Sequence, residues 1–204
     1  MARVGFTSFD FDVFRVAGFD ERVEQIYARI RPKLLRLGEQ LAPELTRRLG
    51  MGFFPHVARH NGRTAAPPET WTAFGPSPRG YKSCGYLALC ISGAGLHARC
   101  IVGAEAVKRS SLDQVVAAHA AQLAHDLRGG PLASYEQWNF RRLPDGAVRD
   151  GEWFVSLADR LGERDGRLDL GFGWNRAEAV ALERAELIDA FHELAPLYRL
   201  VCAG

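Results

Sequence analysis

From Asp20, a residue suited to an N-cap, apolar side chains recur at Val23, Ile26, Tyr27, Ile30, Leu34, Leu37, Leu41, Leu45 and Leu49. This three-and-four spacing gives a helix one buried face. Pro32 and Gly38 interrupt the pattern and predict a kink or two helices in series, and Gly50 ends it. Ahead of this segment, residues 6–14 (FTSFDFDVF) predict a short helical turn opened by Thr7 or Ser8 and anchored by Phe9, Phe11 and Phe14, with Gly18 breaking it.

After Gly50 the pattern shortens. Phe53 to His60 and Trp71 to Phe74 read as short strands, separated by a loop, Asn61–Glu69, that holds the Pro67-Pro68 pair. The run GPSPRG (75–80) is turn-rich, and YLALCIS (86–92) and LHARCIV (96–102) flank Gly93-Ala94-Gly95 as a β-hairpin. The apolar character of both arms predicts central strands. Ser110 or Ser111 caps a helix through Leu127, with Leu112, Val115, Val116, His119, Leu123 and Leu127 near one face and Gly129-Gly130 after it. Residues 131–151 carry the weakest pattern: Tyr135–Phe140 reads as a strand and Pro144-Asp145-Gly146 as a turn. A short helix at 152–162, a strand at 168–174 and a helix from Arg176 to Leu194 complete the chain. Helices before, between and after clustered strands predict an α+β fold, a mostly antiparallel sheet with helices packed on it, in a single domain over 1–204.

Composition narrows the classes. Hydrophobic residues make up 47% and charged residues 25% of the 204, ordinary for a globular chain and against a disordered or fibrous one. The net charge of +2 announces neither a nucleic-acid nor a membrane partner. No run approaches the ~20 apolar residues of a membrane helix, and the N-terminal MARVGFTSFDFDVF has acids where a secretory signal is apolar. The expected setting is cytoplasmic, with no membrane partner. Cys84, Cys90, Cys100 and Cys202 form no C-x-x-C, and in the cytosol are expected as thiols, with Cys90 and Cys100 as small core residues. All but three of the 26 basic side chains (Lys33, Lys82, Lys108) are arginines.

Charge is unevenly spread, and residues 53–82 are its extreme. They gather Arg59, Arg63, Arg79 and Lys82, His56 and His60, and the aromatics Trp71, Phe74 and Tyr81 against one acid, Glu69. Brought together by two loops, the cations would form a pocket for a phosphate- or carboxylate-bearing small molecule, because guanidinium groups fork onto such anions. Gly80 would let backbone approach a ligand, and Trp71 and Tyr81 would stack on a ring. The candidate ligand-binding set is therefore His56, Arg59, His60, Arg63, Trp71, Arg79, Tyr81 and Lys82. A second possibility is a metal-dependent enzyme. His56 and His60 share a face on either a strand or a helix, and Glu105, His97 or Cys84 could complete a ligand set, although the glutamate of H-E-x-x-H is missing. A third is single-stranded nucleic acid, which favours basic residues interleaved with aromatics; the barely basic chain weighs against it. No P-loop, nucleophile elbow or Rossmann glycine pattern names a cofactor. Gly171-Phe172-Gly173 lacks the third glycine and reads as a strand-to-helix turn. Cys84, close to Lys82, is a weaker candidate for an activated thiolate.

The pieces FFPHVARH (53–60), GRT (62–64), PP (67–68), TW (70–71) and RGYK (79–82) occur in the order that resembles the YktB family, bacterial proteins of unknown function. The likeness extends upstream through Gly5-Phe6, Asp10-Phe11, Phe14, Pro32-Lys33, Leu37-Gly38 and LAPEL (41–45). It is looser after residue 105, returning in LAPLYRL (194–200). The resemblance implies a one-domain α+β fold in a bacterial cytosol and no particular reaction. Family members often carry His-Pro-His where this chain has Cys84-Gly85-Tyr86, which weakens a metal site drawn from the likeness.

Overall fold

A computed structural model describes residues 2–61, 65–103, 106, 111–127, 132–134, 150–162 and 166–202. Thr7 opens α1 (Ser8–Asp12) through a capping box with Asp10, and a 3₁₀ turn, Val13–Arg15, follows. Asp10 is 2% exposed, and its charge is met by Lys33 at 2.6 Å. That bond ties α1 to the first turn of the long helix.

The predicted helix from Asp20 is continuous rather than divided. Helix α2 (Phe19–Gln25) passes through a π-helical turn (Ile26–Ile30) into α3 (Arg31–Leu49). Pro32 sits in the first turn of α3, directly after the π-helical turn, so the wider turn stands where a proline cannot donate the regular helical bond. Gly38 does not break the helix either. A Cβ there would lie 2.9 Å from Pro55 Cβ and 3.1 Å from Thr72 Oγ1, so the glycine marks where α3 comes nearest the sheet.

The sheet has six strands, β1 (Phe54–Val57), β2 (Glu69–Gly75), β3 (Tyr86–Ser92), β4 (Gly95–Val102), β5 (Leu132–Ser134) and β6 (Leu168–Asn175). Their order is β1-β2-β3-β4-β6-β5, with every pairing antiparallel. The hairpin β3–β4 is central, as its apolar character predicted. Between β4 and β5 lie α4 (Leu112–Ala118) and α5 (Ala120–Asp126), which split the single predicted helix at His119. Helix α6 (Gly151–Gly162) precedes β6. The single helix expected over 176–194 is also divided, into α7 (Arg176–Ala181) and α8 (Arg184–Glu193), and α9 (Ala195–Cys202) follows. Leu182 takes an extended backbone at the end of α7, and Glu183 opens α8 with its own capping box with Glu186. Apolar periodicity ran through that joint, which is why the sequence did not reveal it. The strand and turn expected at 135–140 and 144–146 lie outside the described residues.

The two faces of the sheet differ in chemistry. Phe74, Leu87, Leu89, Ile91, Leu96, Ala98, Cys100, Leu168 and Leu170 join the large core with Leu34, Leu37, Leu41 and Leu45 of α3, Leu187 and Phe191 of α8, and Leu197 and Tyr198 of α9. The other face carries a smaller cluster, Ala73, Tyr86, Ala88 and Cys90, with Trp71, Tyr81 and Ile101 against it. Residues paired directly across antiparallel strands share a face, so His56, Ala73, Ala88, Arg99 and Gly171 form one row across this side. Arg99 is 1% exposed and bridges Glu69 of β2 and Asp169 of β6. This is an α+β fold with a polar seam on one side of its sheet. No described helix is long and apolar enough to cross a membrane.

Candidate functional site

At the β1 edge of the sheet, β1, the start of α3 and the loop after β2 enclose a cleft of about 660 Å³. Sequence order explains the enclosure. Strand β2 ends at Gly75, and the chain then reverses through Pro78-Arg79, with Ser77 and Gly80 bridged across the turn. Arg79 N–H donates to Ser77 Oγ at 3.2 Å. The returning Tyr81 lies directly over Gly75, where a Cβ would come 2.5 Å from Tyr81 Cβ and 3.0 Å from its Cα. Only glycine lets the loop fold back this closely.

Into this cleft the fold brings His56, Arg59, Trp71, Arg79, Tyr81 and Lys82, together with Arg31, Asn61, Pro55 and Pro78. Six of the eight predicted ligand-binding residues therefore line one cavity. His60 is not among the lining residues. Its Nε2 lies 3.0 Å from Thr70 Oγ1 and its ring packs edge-on to Trp71 at 6.1 Å between centroids. Arg63 lies outside the described residues.

The aromatic wall is cross-braced. Trp71 Nε1–H donates to Tyr81 Oη at 3.2 Å, and Tyr81 packs edge-on to Tyr86 at 4.6 Å and against the tilted His56 ring at 5.4 Å. His56 Nε2 is 2.8 Å from Ser77 O. A carbonyl only accepts, so Nε2 carries the proton and the neutral ring keeps Nδ1 as its acceptor.

Arg31 is the residue that sequence reasoning missed. It opens α3, donates from Nη1 to Ala58 O at 2.8 Å, stacks over Tyr27 at 5.2 Å and lines the cleft. Lying between Ile30 and Pro32, it broke no periodicity; adjacency to the Pro32-Lys33 motif was its one signal. Burial, and then the positive charge of Arg31, hold the His60 imidazole below its ordinary value of 6.5.

Among the described residues that line the cleft, arginine and lysine supply all of the formal charge and none is acidic. Glu69, the single acid of the central stretch, is turned to Arg99 in the seam. Burial there outweighs the attraction of Arg99 and pushes the Glu69 carboxyl up to about 7, and burial raises Asp169 as well. Of the third metal ligands considered, His97 on β4 lies 3.5 Å from Ser92 Oγ, while Glu105 falls outside the described residues. Among the described residues no group of three His, Cys, Asp or Glu side chains stands close enough to hold a metal ion.

Comparison with known proteins places these features in a family. The model of the domain of unknown function DUF1054 matches residues 6–198. A UPF0637 protein of Bacillus velezensis is 29% identical over 210 residues, covering 98% of each chain. Shorter matches are closer. A UPF0637 protein of Lysinibacillus sphaericus is 43% identical over 84 residues, 41% of this chain and 40% of that protein. One from Bacillus mycoides is 50% identical over 78 residues, 38% of each. The YktB-like resemblance read from the motifs holds, and the chain belongs to the DUF1054 family, a domain of unknown function.

Proposed function

We propose that the cleft binds a small anionic molecule bearing a phosphate or carboxylate group. The observation that carries this reading is the convergence of Arg31, Arg59, Arg79 and Lys82 on one cavity whose described lining residues include no acid. A phosphate suits it better than a single carboxylate, because four cations with no acid among the described lining residues favour a multiply charged guest. The volume falls within the range of small-molecule sites, and Trp71 and Tyr81 offer a braced surface for a ring beside the anion. His56 supports a proton-accepting role toward such a ligand through Nδ1, its Nε2–H being committed to Ser77 O.

The metal reading has less behind it: both histidines already engage Nε2, with Ser77 and Thr70 respectively. A bounded cleft favours a small molecule over a nucleic-acid strand, which needs a long basic track. The family match over 6–198 supports treating 1–204 as a single domain, and four cysteines standing outside any disulfide fit a reducing, cytoplasmic setting.

A thermal-shift panel of nucleotides, sugar phosphates, dicarboxylates and divalent metals tests the proposal. A ligand at about a hundred times its dissociation constant stabilises the fold by roughly 2.7 kcal/mol. Stabilisation by a phosphate-bearing compound in wild type, lost in Arg79→Ala, supports it. Stabilisation by a metal alone supports the alternative.

A further inference from the structure

The C-terminal helix α9 ends at Cys202, whose Sγ donates to Gly85 O at 3.4 Å. A Cβ built on Gly85 would lie 3.1 Å from the same sulfur. Cys84, the preceding residue, brings its own thiol into hydrogen-bond contact with that of Cys202. The two cysteines stand 118 positions apart in sequence and meet where the β2–β3 loop crosses the end of α9. Both are partly exposed, so small oxidants reach them. Cys90 and Cys100, by contrast, are buried within the sheet. Burial pushes the Cys100 thiol up, out of reach of ready ionisation.

We propose that Cys84 and Cys202 are a redox modification site at which a peroxide-class oxidant closes a reversible intramolecular disulfide. The roles of the two sulfurs follow from their bonds. Cys202 commits its S–H to Gly85 O at 3.4 Å, and its contact with Cys84, then burial, push its thiol up; Cys84 is therefore the attacking sulfur, as its thiolate. Its thiolate displaces hydroxide from hydrogen peroxide, giving a sulfenic acid, and the hydroxide takes a proton to become water. Cys202 then loses its proton, its sulfur attacks Cys84 Sγ, and the sulfenic oxygen leaves as a second water. Two thiols lose two protons and two electrons, and one peroxide becomes two waters. A thiol reductant reverses the change. Cys84 follows Lys82, a cleft residue, with one residue between them, so the bond would fix the backbone at the mouth of the cleft to α9.

The test uses the full chain, reduced and then treated with stoichiometric hydrogen peroxide before alkylation and peptide mapping. The expected result is the loss of two alkylatable thiols per chain and a single linked peptide joining Cys84 to Cys202, both changes reversed by reductant. In Cys202→Ser, a sulfenic-acid trap is expected to accumulate on Cys84; in Cys84→Ser, it is expected to leave Cys202 unlabelled. Linkage of either cysteine to Cys90, Cys100 or a second chain overturns the proposal, as does the survival of all four thiols. Trapping on Cys202 instead of Cys84 overturns the assignment of roles. The wild-type map stands whether or not the serine variants fold.

Discussion

Trp71 donates its indole proton to the hydroxyl of Tyr81 at 3.2 Å, fastening the β2 strand to the loop that doubles back over Gly75. The loop's position depends on both this bond and the close approach at Gly75. Gly75→Ala forces Tyr81 away from the strand. We expect a loss of about 1–3 kcal/mol, typical of overpacking, read by chemical denaturation, together with weaker anion binding. Tyr81→Phe keeps the ring, removes the hydroxyl that accepts from Trp71 and should cost about 1 kcal/mol.

Gly38 sets two effects against each other. In an isolated helix, replacing glycine by alanine gains roughly 1 kcal/mol. Here the new methyl meets Pro55 at 2.9 Å and Thr72 at 3.1 Å, and β1, which carries His56, would have to move. Gly38→Ala is predicted to be destabilising on balance, lowering the thermal midpoint by roughly 2–4 °C for each kcal/mol lost.

Removing Arg99 strands two carboxylates in the seam. Arg99→Met is expected to destabilise the protein by on the order of 3–5 kcal/mol. Because Glu69 and Asp169 can escape by taking up protons, denaturation should find the loss smaller at pH 5 than at pH 8.

The pH dependence of the wild type has two opposed parts. Glu69 rises in the fold from its ordinary 4.5 to about 7, so between those values the native state binds the proton that the unfolded chain releases. Stability from this group is greatest below about 4.5 and falls as pH rises through about 7, by on the order of 3 kcal/mol. His60 is depressed below 6.5, so its contribution is present above 6.5 and is lost as pH falls below that value. Denaturant midpoints across pH 4 to 8 should show a weakened decline with rising pH in Glu69→Gln. In His60→Gln the acid-side loss should vanish.

Much of this was legible in the chain. The hairpin announced itself through two apolar runs around Gly93-Ala94-Gly95, and the cleft through the charge imbalance of 53–82, because a turn and an edge strand are local features. Arg31 was hidden because its role comes from the meeting of the α3 start with β1, a contact across 27 positions. The Glu69–Arg99–Asp169 bridge was hidden for the same reason: its members lie on three strands and only the register aligns them. Periodicity also ran unbroken across Leu182 and His119, where backbone geometry divides the helices.

The most direct measurement is a calorimetric titration of wild type, Arg59→Ala and Arg79→Ala with a nucleoside 5′-monophosphate, inorganic pyrophosphate and the unphosphorylated nucleoside. Saturable binding of at least one phosphorylated probe at a single site is expected. Each arginine variant should weaken it by roughly tenfold to a hundredfold, the scale of one charged hydrogen bond, while the nucleoside binds far more weakly. Equal binding by wild type and both variants, or no binding of either phosphorylated probe, would contradict it.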